Sequence, residues 1–137
     1  MKKIFSTRYS DNSISFALLL LRLTVGGLMI THGYQKLTAF SSMSAAFPDP
    51  FHIGGPASLA LVIFAELFCA SLIVLGLMTR LACIPLIIST GVAFFMAHKG
   101  VIYGPKGGEM VLLFLGGYLT LLFSGPGKIS MDRLIGK

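Results

Sequence analysis

Six ionisable side chains lie within or beside apolar stretches of this sequence, where an isolated charge is costly. They are Arg22, His32, Lys36, Glu66, His98 and Glu109. A charged side chain at the centre of a bilayer costs about 2.5–3.5 kcal/mol on insertion scales, so such groups face the protein interior and pair there. Histidine and carboxylate groups can exchange protons, and lysine can donate hydrogen bonds to carbonyl oxygens. The sequence therefore predicts polar sites inside a membrane protein.

The composition supports a membrane protein and argues against nucleic-acid binding. Of the 137 residues, 55% are hydrophobic and 12% are charged, whereas charged residues make up about a quarter of ordinary soluble proteins. The net charge of +6 comes from basic residues that flank the apolar stretches. The positive-inside rule explains this distribution better than a nucleic-acid surface, which would interleave basic and aromatic residues.

Four apolar spans predict an all-α fold, a polytopic membrane four-helix bundle that forms one transmembrane domain over residues 1–137. A helix needs about 20 residues to cross the bilayer core. Seven Lys and Arg residues on one side against three on the other place both termini in the cytoplasm. The first span is too long for a cleaved signal peptide, so we expect it to be retained. The spans cover about residues 14–37, 57–78, 81–97 and 108–124.

The outer loop, residues 38–55, is rich in Phe and Pro. This composition is consistent either with a cap lying on the bundle or with a simple interfacial linker. Cys69 and Cys83 are expected to differ in depth by about 10 Å, too far for a disulfide. We therefore interpret both cysteines as small packing residues.

The depths of Arg22 and Glu66 predict an intramembrane ion pair. At 1.5 Å per residue, Arg22 lies about 12 Å and Glu66 about 18 Å from the cytoplasmic ends of their spans, near the middle of a core about 30 Å thick. Their spans are consecutive, and a guanidinium group binds a carboxylate bidentately. The pair would either specify helix packing or serve a small-molecule or proton conduit.

A second polar group is predicted at the outer ends of the spans. His32 and Lys36 end the first span, His98 ends the third, and Glu109 begins the fourth. Three interpretations remain open for this group: structural hydrogen bonding, a proton-relay or quinone site, and, less favoured, a haem or metal site with the two histidines as ligands. No metal motif is present, and no cofactor follows from the spacing alone.

The order and spacing of these residues resemble the DoxX family. The matching elements are Arg22-Leu23, HGYQK at 32–36, Glu66, GLMTR at 76–80, His98, Glu109, and SGPGKISMD at 124–132. The resemblance implies a small four-helix protein of the bacterial cytoplasmic membrane. Its relatives are associated with a terminal quinol oxidase, with thiosulfate-to-quinone electron transfer, and with assemblies that handle oxidative or thiol stress. It marks the six polar residues as candidates without a catalytic assignment.

The leading hypothesis is a redox-associated subunit that binds quinone or quinol at the outer polar group. His32 and Glu109 would exchange protons, while His98 and Lys36 would polarise the ring oxygens. The alternatives are a non-enzymatic scaffold that recruits a soluble oxidoreductase through its basic cytoplasmic ends, or the conduit at Arg22 and Glu66. Membrane lipid and redox proteins are the expected partners, and a homo-oligomer is compatible with the lipid-facing surface. Whether the protein is itself an enzyme stays open.

Overall fold

Within the described part of the chain, four long apolar α-helices and two short ones hold most of the residues, confirming the all-α membrane bundle. The structure is a computed structural model that describes residues 3–136. Three helices are long and apolar enough to cross a membrane, and the last long one has 16 residues. The helices are α1 (Asp11–Thr38), α2 (Phe40–Met43), α3 (Gly55–Leu75), α4 (Thr79–Ala97), α5 (Glu109–Ser124) and α6 (Met131–Leu134).

Local signals in the sequence set several helix ends. The Ser10 hydroxyl accepts a hydrogen bond from the backbone N–H of Ser13 and caps α1. Gly76 ends α3 because it adopts a left-handed conformation with φ of 72°, which glycine tolerates best. Ser130 caps α6 in the same way as Ser10 caps α1, by accepting a hydrogen bond from the backbone N–H of Arg133. The α3–α4 connection is therefore a tight hairpin.

Helix α1 packs on α3 through small residues that allow close approach. Gly26 lies against Ala70 and Val74, and Gly33 lies against Glu66. Helix α4 packs mainly on α5. The core between the helices is formed by Leu18, Val25, Met29, Ala65, Cys69, Ala70, Ile73, Ala82, Cys83, Leu86, Phe114, Tyr118 and Leu121. Both cysteines are buried and free.

The start of α1 and the segment that follows α5 lie at the same end of the bundle, which we call the terminal end. The segment after α5 folds back along α1, with Gly127 against Ser15 and Leu18 and the Lys128 ammonium 3.3 Å from the Asp11 carboxylate. The opposite end carries the outer loop, and we call it the loop end. The assignment of the terminal end to the cytoplasm stays a prediction.

Candidate functional site

A cavity of about 960 Å³ lies in the loop-end half of the bundle, bounded by α1, α3, α4 and α5. Its size is at the upper end of the range of about 300–1,000 Å³ for ligand pockets. The wall is mostly apolar, and Phe47, Pro48, Pro50 and Phe51 of the outer loop line it. The loop is therefore a cap on the bundle, which is one of its two expected roles. The ionisable side chains on the wall are His32, Lys36, Glu66 and His98.

An ion pair between Lys36 and Glu66 is the central polar feature of this cavity. The Lys36 Nζ atom lies 3.0 Å from Oε1 and 2.8 Å from Oε2 of Glu66, and Glu66 is 7% exposed. A buried charge of this kind requires a close partner because desolvation is otherwise uncompensated. Lys36 thus turns inward to Glu66 and does not extend to the headgroup region.

The close approach of α1 to α3 positions this pair. Glu66 lies opposite Gly33, and Lys36 follows Gly33 by about one helical turn, so its side chain reaches over the carboxylate. Glu66 also lies in a π-helical stretch of α3, Phe64–Cys69. A second π-helical stretch, Ala93–Ala97, ends α4 at the cavity. Such insertions are rare and often occur at functional sites.

His98 follows the second π-helical stretch, and its ring is fixed by the backbone. Its Nδ1 atom lies 3.0 Å from the carbonyl oxygen of Lys106. Because a carbonyl only accepts, Nδ1 carries the hydrogen, and Nε2 of the neutral ring is an acceptor. Gly108 makes this arrangement possible, since a Cβ there would meet His98 Cγ at 3.0 Å and Phe94 at 2.8 Å.

The two remaining predicted residues of the outer group occupy different places. His32 lines the cavity, and its ring meets Phe114 edge-on at 5.9 Å between centroids. Glu109 begins α5 but is exposed and does not line the cavity, although its neighbours Gly108 and Met110 do. The structure therefore brings together His32, Lys36 and His98, and supplies the carboxylate from Glu66 in place of Glu109.

The predicted ion pair between Arg22 and Glu66 is wrong. The Arg22 guanidinium donates instead to four backbone carbonyl oxygens near the terminal end. The acceptors are Ile73 at 3.0 Å, Val74 at 3.0 Å, Pro126 at 2.9 Å and Ile129 at 2.6 Å.

The reason is the register between α1 and α3. Gly33 lies opposite Glu66 and Gly26 opposite Ala70 and Val74, so Arg22 falls level with the end of α3. There it binds the last carbonyl groups of that helix and those of the segment after α5. The conduit hypothesis loses the midplane pair on which it depended.

Two further carboxylates organise the ends of the bundle, and the sequence reasoning missed both roles. Asp132 accepts hydrogen bonds from the backbone N–H groups of Met78 and Thr79 and so caps the start of α4 from the far end of the chain. No local signal indicates this contact because 53 residues separate Asp132 from Thr79.

Asp49 holds the outer loop in place over the cavity. It accepts hydrogen bonds from the backbone N–H groups of Ile53 and Gly54 and from the hydroxyl of Ser58. Desolvation acts to raise the pKa of Asp49, but these hydrogen bonds and nearby His52 together lower the pKa below its ordinary value. The Asp49-Pro50 dipeptide, which favours the start of a turn, was the available sequence signal.

The part of the chain that the structure describes contains no cluster of side chains arranged to bind a metal ion. Within residues 3–136, no group of three or more His, Cys, Asp and Glu side chains could hold a metal ion. The cavity instead combines one lysine ammonium group, one carboxylate and two imidazole rings with apolar walls. This combination suits an apolar ligand that carries a few hydrogen-bonding oxygens.

Comparisons with known proteins agree with this helical membrane architecture. The family model described as DoxX matches residues 17–99, a range that includes Arg22, the HGYQK motif, Glu66 and His98. An uncharacterized membrane protein of Mycobacterium tuberculosis is 33% identical, covering 85% of this chain and 80% of its own length. No solved structure is a significant match.

Two uncharacterized proteins of Haemophilus influenzae are also similar. One is 32% identical, covering 86% of this chain and 90% of its own length. The other is 28% identical, covering 88% of this chain and 84% of its own length. Because the family model covers more than half of the chain and the similarity extends over most of it, this membrane protein belongs to the DoxX family.

Proposed function

We propose that this protein binds a membrane quinone or quinol in its loop-end cavity, as a redox-associated subunit of the bacterial cytoplasmic membrane. The observation that carries the proposal is the Lys36–Glu66 ion pair on the wall of a cavity that is otherwise mostly apolar. A quinone ring has the matching chemistry, since it is flat and apolar and bears two carbonyl oxygens. With the terminal end in the cytoplasm, as the charge distribution predicts, the loop end faces the outside of the cell.

Three of the four ionisable groups on the cavity wall are assigned to hydrogen bonding, as one donor and two acceptors. The Lys36 ammonium has three N–H donors, and its two contacts with Glu66 leave one for a ring carbonyl oxygen. The Glu66 carboxylate and Nε2 of neutral His98 can accept hydrogen bonds from the hydroxyl groups of a quinol. Donation from His98 to a ring oxygen would require a protonated ring, because Nδ1 is bonded to Lys106.

Proton exchange is assigned to Glu66 and His32, both on the cavity wall. Glu66 replaces Glu109, which the sequence alone favoured for this role. Electron transfer is assigned to a partner oxidoreductase, with this chain supplying the ligand site and the proton-exchanging groups. The protein is thus proposed as a binding subunit of a redox complex.

Binding of a decyl-tailed ubiquinone or menaquinone analogue to the purified protein in nanodiscs tests this function. We expect Lys36→Met to weaken binding by about 10-fold or more, because a hydrogen bond to a charged group contributes about 1.5–3 kcal/mol. Lys128→Met is the matched control, since Lys128 pairs with Asp11 at the opposite end of the bundle. Equal affinity of the wild type and Lys36→Met would refute the site.

A double variant separates ligand binding from folding. Replacing both members of a buried ion pair by apolar residues of similar size is often neutral for stability, whereas removing one member strands a charge. We expect Lys36→Met combined with Glu66→Met to fold about as stably as the wild type but to bind the analogue poorly. A double variant that folds and retains full affinity would show that the pair serves helix packing alone.

The scaffold function remains the second candidate, and the exposed basic side chains of the terminal end favour it. Arg80, Lys128 and Arg133 are exposed there and could attract an acidic surface of a soluble oxidoreductase. A scaffold predicts that neutralising these residues lowers the yield of the complex at low salt, and that the Lys36 and Glu66 variants leave its turnover unchanged. Loss of turnover in an assembled complex carrying the double variant would instead favour the quinone site.

A further inference from the structure

Helices α3 and α4 are close at one end and apart at the other. The hairpin at Gly76 joins them at the terminal end, and α4 contacts both Phe64–Cys69 and Ala70–Leu75. The loop-end segment of α3, Gly55–Ile63, instead packs mainly on α1, the outer loop and its own helix. The two helices therefore diverge toward the loop end, and the cavity lies where they separate.

The gap between these helices opens on the lipid-facing surface. Leu61 and Phe64 of α3 and Ile88 of α4 all line the cavity, and each is about half exposed. Because each of these side chains borders both the cavity and the lipid-facing surface, the opening passes between them. We call this opening the α3–α4 portal. Its rim is apolar, and α3 is long and apolar enough to cross a membrane, so its middle is expected within the bilayer core.

The cavity is apolar on the side of the portal and charged on the side of the ion pair. Lys36 and Glu66 lie on the α1 side of the cavity, while the portal lies on the side facing lipid. A wholly water-soluble ligand would have to cross hydrocarbon to use such an opening. A molecule with a polar head and an apolar tail satisfies both ends, with the head at the ion pair and the tail directed into the bilayer.

We infer that the α3–α4 portal is a lateral entrance that seats the apolar tail of a membrane amphiphile whose head binds at Lys36 and Glu66. The inference rests on the proposed function only for the identity of the amphiphile, which is then a quinone with an isoprenoid tail. The entrance itself requires only that an apolar chain pass between Phe64 and Ile88. The two proposals can therefore fail separately.

The absence of tryptophan from the sequence permits a direct test. Phe114 lines the cavity and Phe94 does not, yet the two are 6% and 7% exposed. Phe114→Trp and Phe94→Trp thus form a matched pair with one tryptophan each. In nanodiscs of lipids with brominated acyl chains, we expect the tryptophan at 114 to be quenched at least 2-fold more than that at 94. Phe68→Trp, on the exposed face of α3 outside the cavity wall, is the reference for the quenching of a tryptophan that is exposed to lipid.

Equal, weak quenching at positions 114 and 94 would overturn the lateral entrance while leaving the proposed quinone function standing. Quenching at 114 by aqueous iodide, without quenching by brominated lipid, would also overturn it, because the cavity would then open past the outer loop. Strong lipid quenching at 114 in a protein that binds no quinone analogue would support the entrance and refute the proposed function.

The contribution of the tail gives a second measurement. With the same quinone ring, we expect a decyl tail to bind more tightly than a methyl group beyond the difference in membrane partitioning, and Phe64→Ser to remove about 3-fold or more of that gain. Phe16→Ser is the matched control, since Phe16 is similarly exposed on α1 and lies outside the cavity wall, whereas Phe68 stacks on Phe64 at 5.2 Å between ring centroids. An equal loss in both variants would overturn a specific seat for the tail.

Discussion

Gly33 of α1 lies directly against Glu66 of α3, and a Cβ atom added at Gly33 would be 2.9 Å from the Cβ of Glu66. This contact fixes how the first two long helices align. It brings Lys36 within 2.8 Å of the Glu66 carboxylate, and it leaves Arg22 level with the end of α3. The register at this one glycine thus determines the partners of three charged side chains.

Gly33→Ala should destabilise the bundle. The new methyl group would press on the Cβ of Glu66 and on Leu67, and overpacking of this kind costs about 1–3 kcal/mol. The measurement is unfolding in SDS-containing mixed micelles, followed by circular dichroism. Gly27→Ala on the same helix is the control, because nothing beyond the adjoining backbone of α1 lies within 4 Å of the added Cβ. It should be neutral or raise the free energy of unfolding, by up to about 1 kcal/mol.

Arg22→Met should lower the free energy of unfolding by about 2–4 kcal/mol, because four carbonyl groups at the terminal end lose their donor. Arg80→Met is the control. Arg80 is exposed and makes a long contact of 3.5 Å with the carbonyl of Phe123, so its loss should change stability by less than about 0.5 kcal/mol.

A double-mutant cycle distinguishes this role of Arg22 from an ion pair with Glu66. Since the two side chains bind different partners, the effects of Arg22→Met and Glu66→Met should add within about 0.5 kcal/mol. The same cycle between Lys36→Met and Glu66→Met should show strong coupling. Coupling of Arg22 to Glu66 as large as that of Lys36 would restore the midplane pair.

Asp132→Ala should weaken the start of α4, because the N–H groups of Met78 and Thr79 lose their cap. A lost cap costs about 0.5–2 kcal/mol, and hydrogen exchange of these two amides should accelerate. Asp11→Ala is the control, since its contact with Lys128 is exposed and such pairs contribute about 0–1 kcal/mol. Unchanged protection of Met78 and Thr79 in Asp132→Ala would contradict the capping role.

The outer loop should loosen in acid through Asp49. Its pKa is lower in the folded protein than the ordinary value of 3.8, so the carboxylate contributes stability at neutral pH. That contribution is lost as the pH falls below about 3.8 and through the folded-state pKa. Hydrogen exchange at Ile53 and Gly54, corrected for the intrinsic rate, should rise over this interval.

Asp49→Asn provides the comparison for the acid response. Its amide carbonyl remains an acceptor at every pH but offers one oxygen in place of two. Exchange at Ile53 and Gly54 should be faster than in the wild type at neutral pH and should change little in acid. An identical acid response in both proteins would show that another group controls the loop.

Much of the fold could be predicted because the signals are local. Apolar runs of about 20 residues require helices in a bilayer, where every backbone polar group must be bonded internally. The hairpin forms at Gly76 and the short connection after it, and Ser130 caps α6, so both features depend on residues that are neighbours in the chain. The polar residues of the HGYQK motif and His98 could likewise be selected as site residues, because ionisable groups at span ends are few.

The partners of these residues could not be predicted because they depend on how far one helix slides along another. The sequence by itself determined the all-α membrane bundle and the residues from which a site could be built. The tertiary structure decided that Glu66 pairs with Lys36, that Glu109 stays outside the cavity, and that Arg22 binds backbone carbonyls. Helix formation follows from interactions within each span, whereas register follows from close packing at positions such as Gly26 and Gly33 and from the return of the last segment along α1.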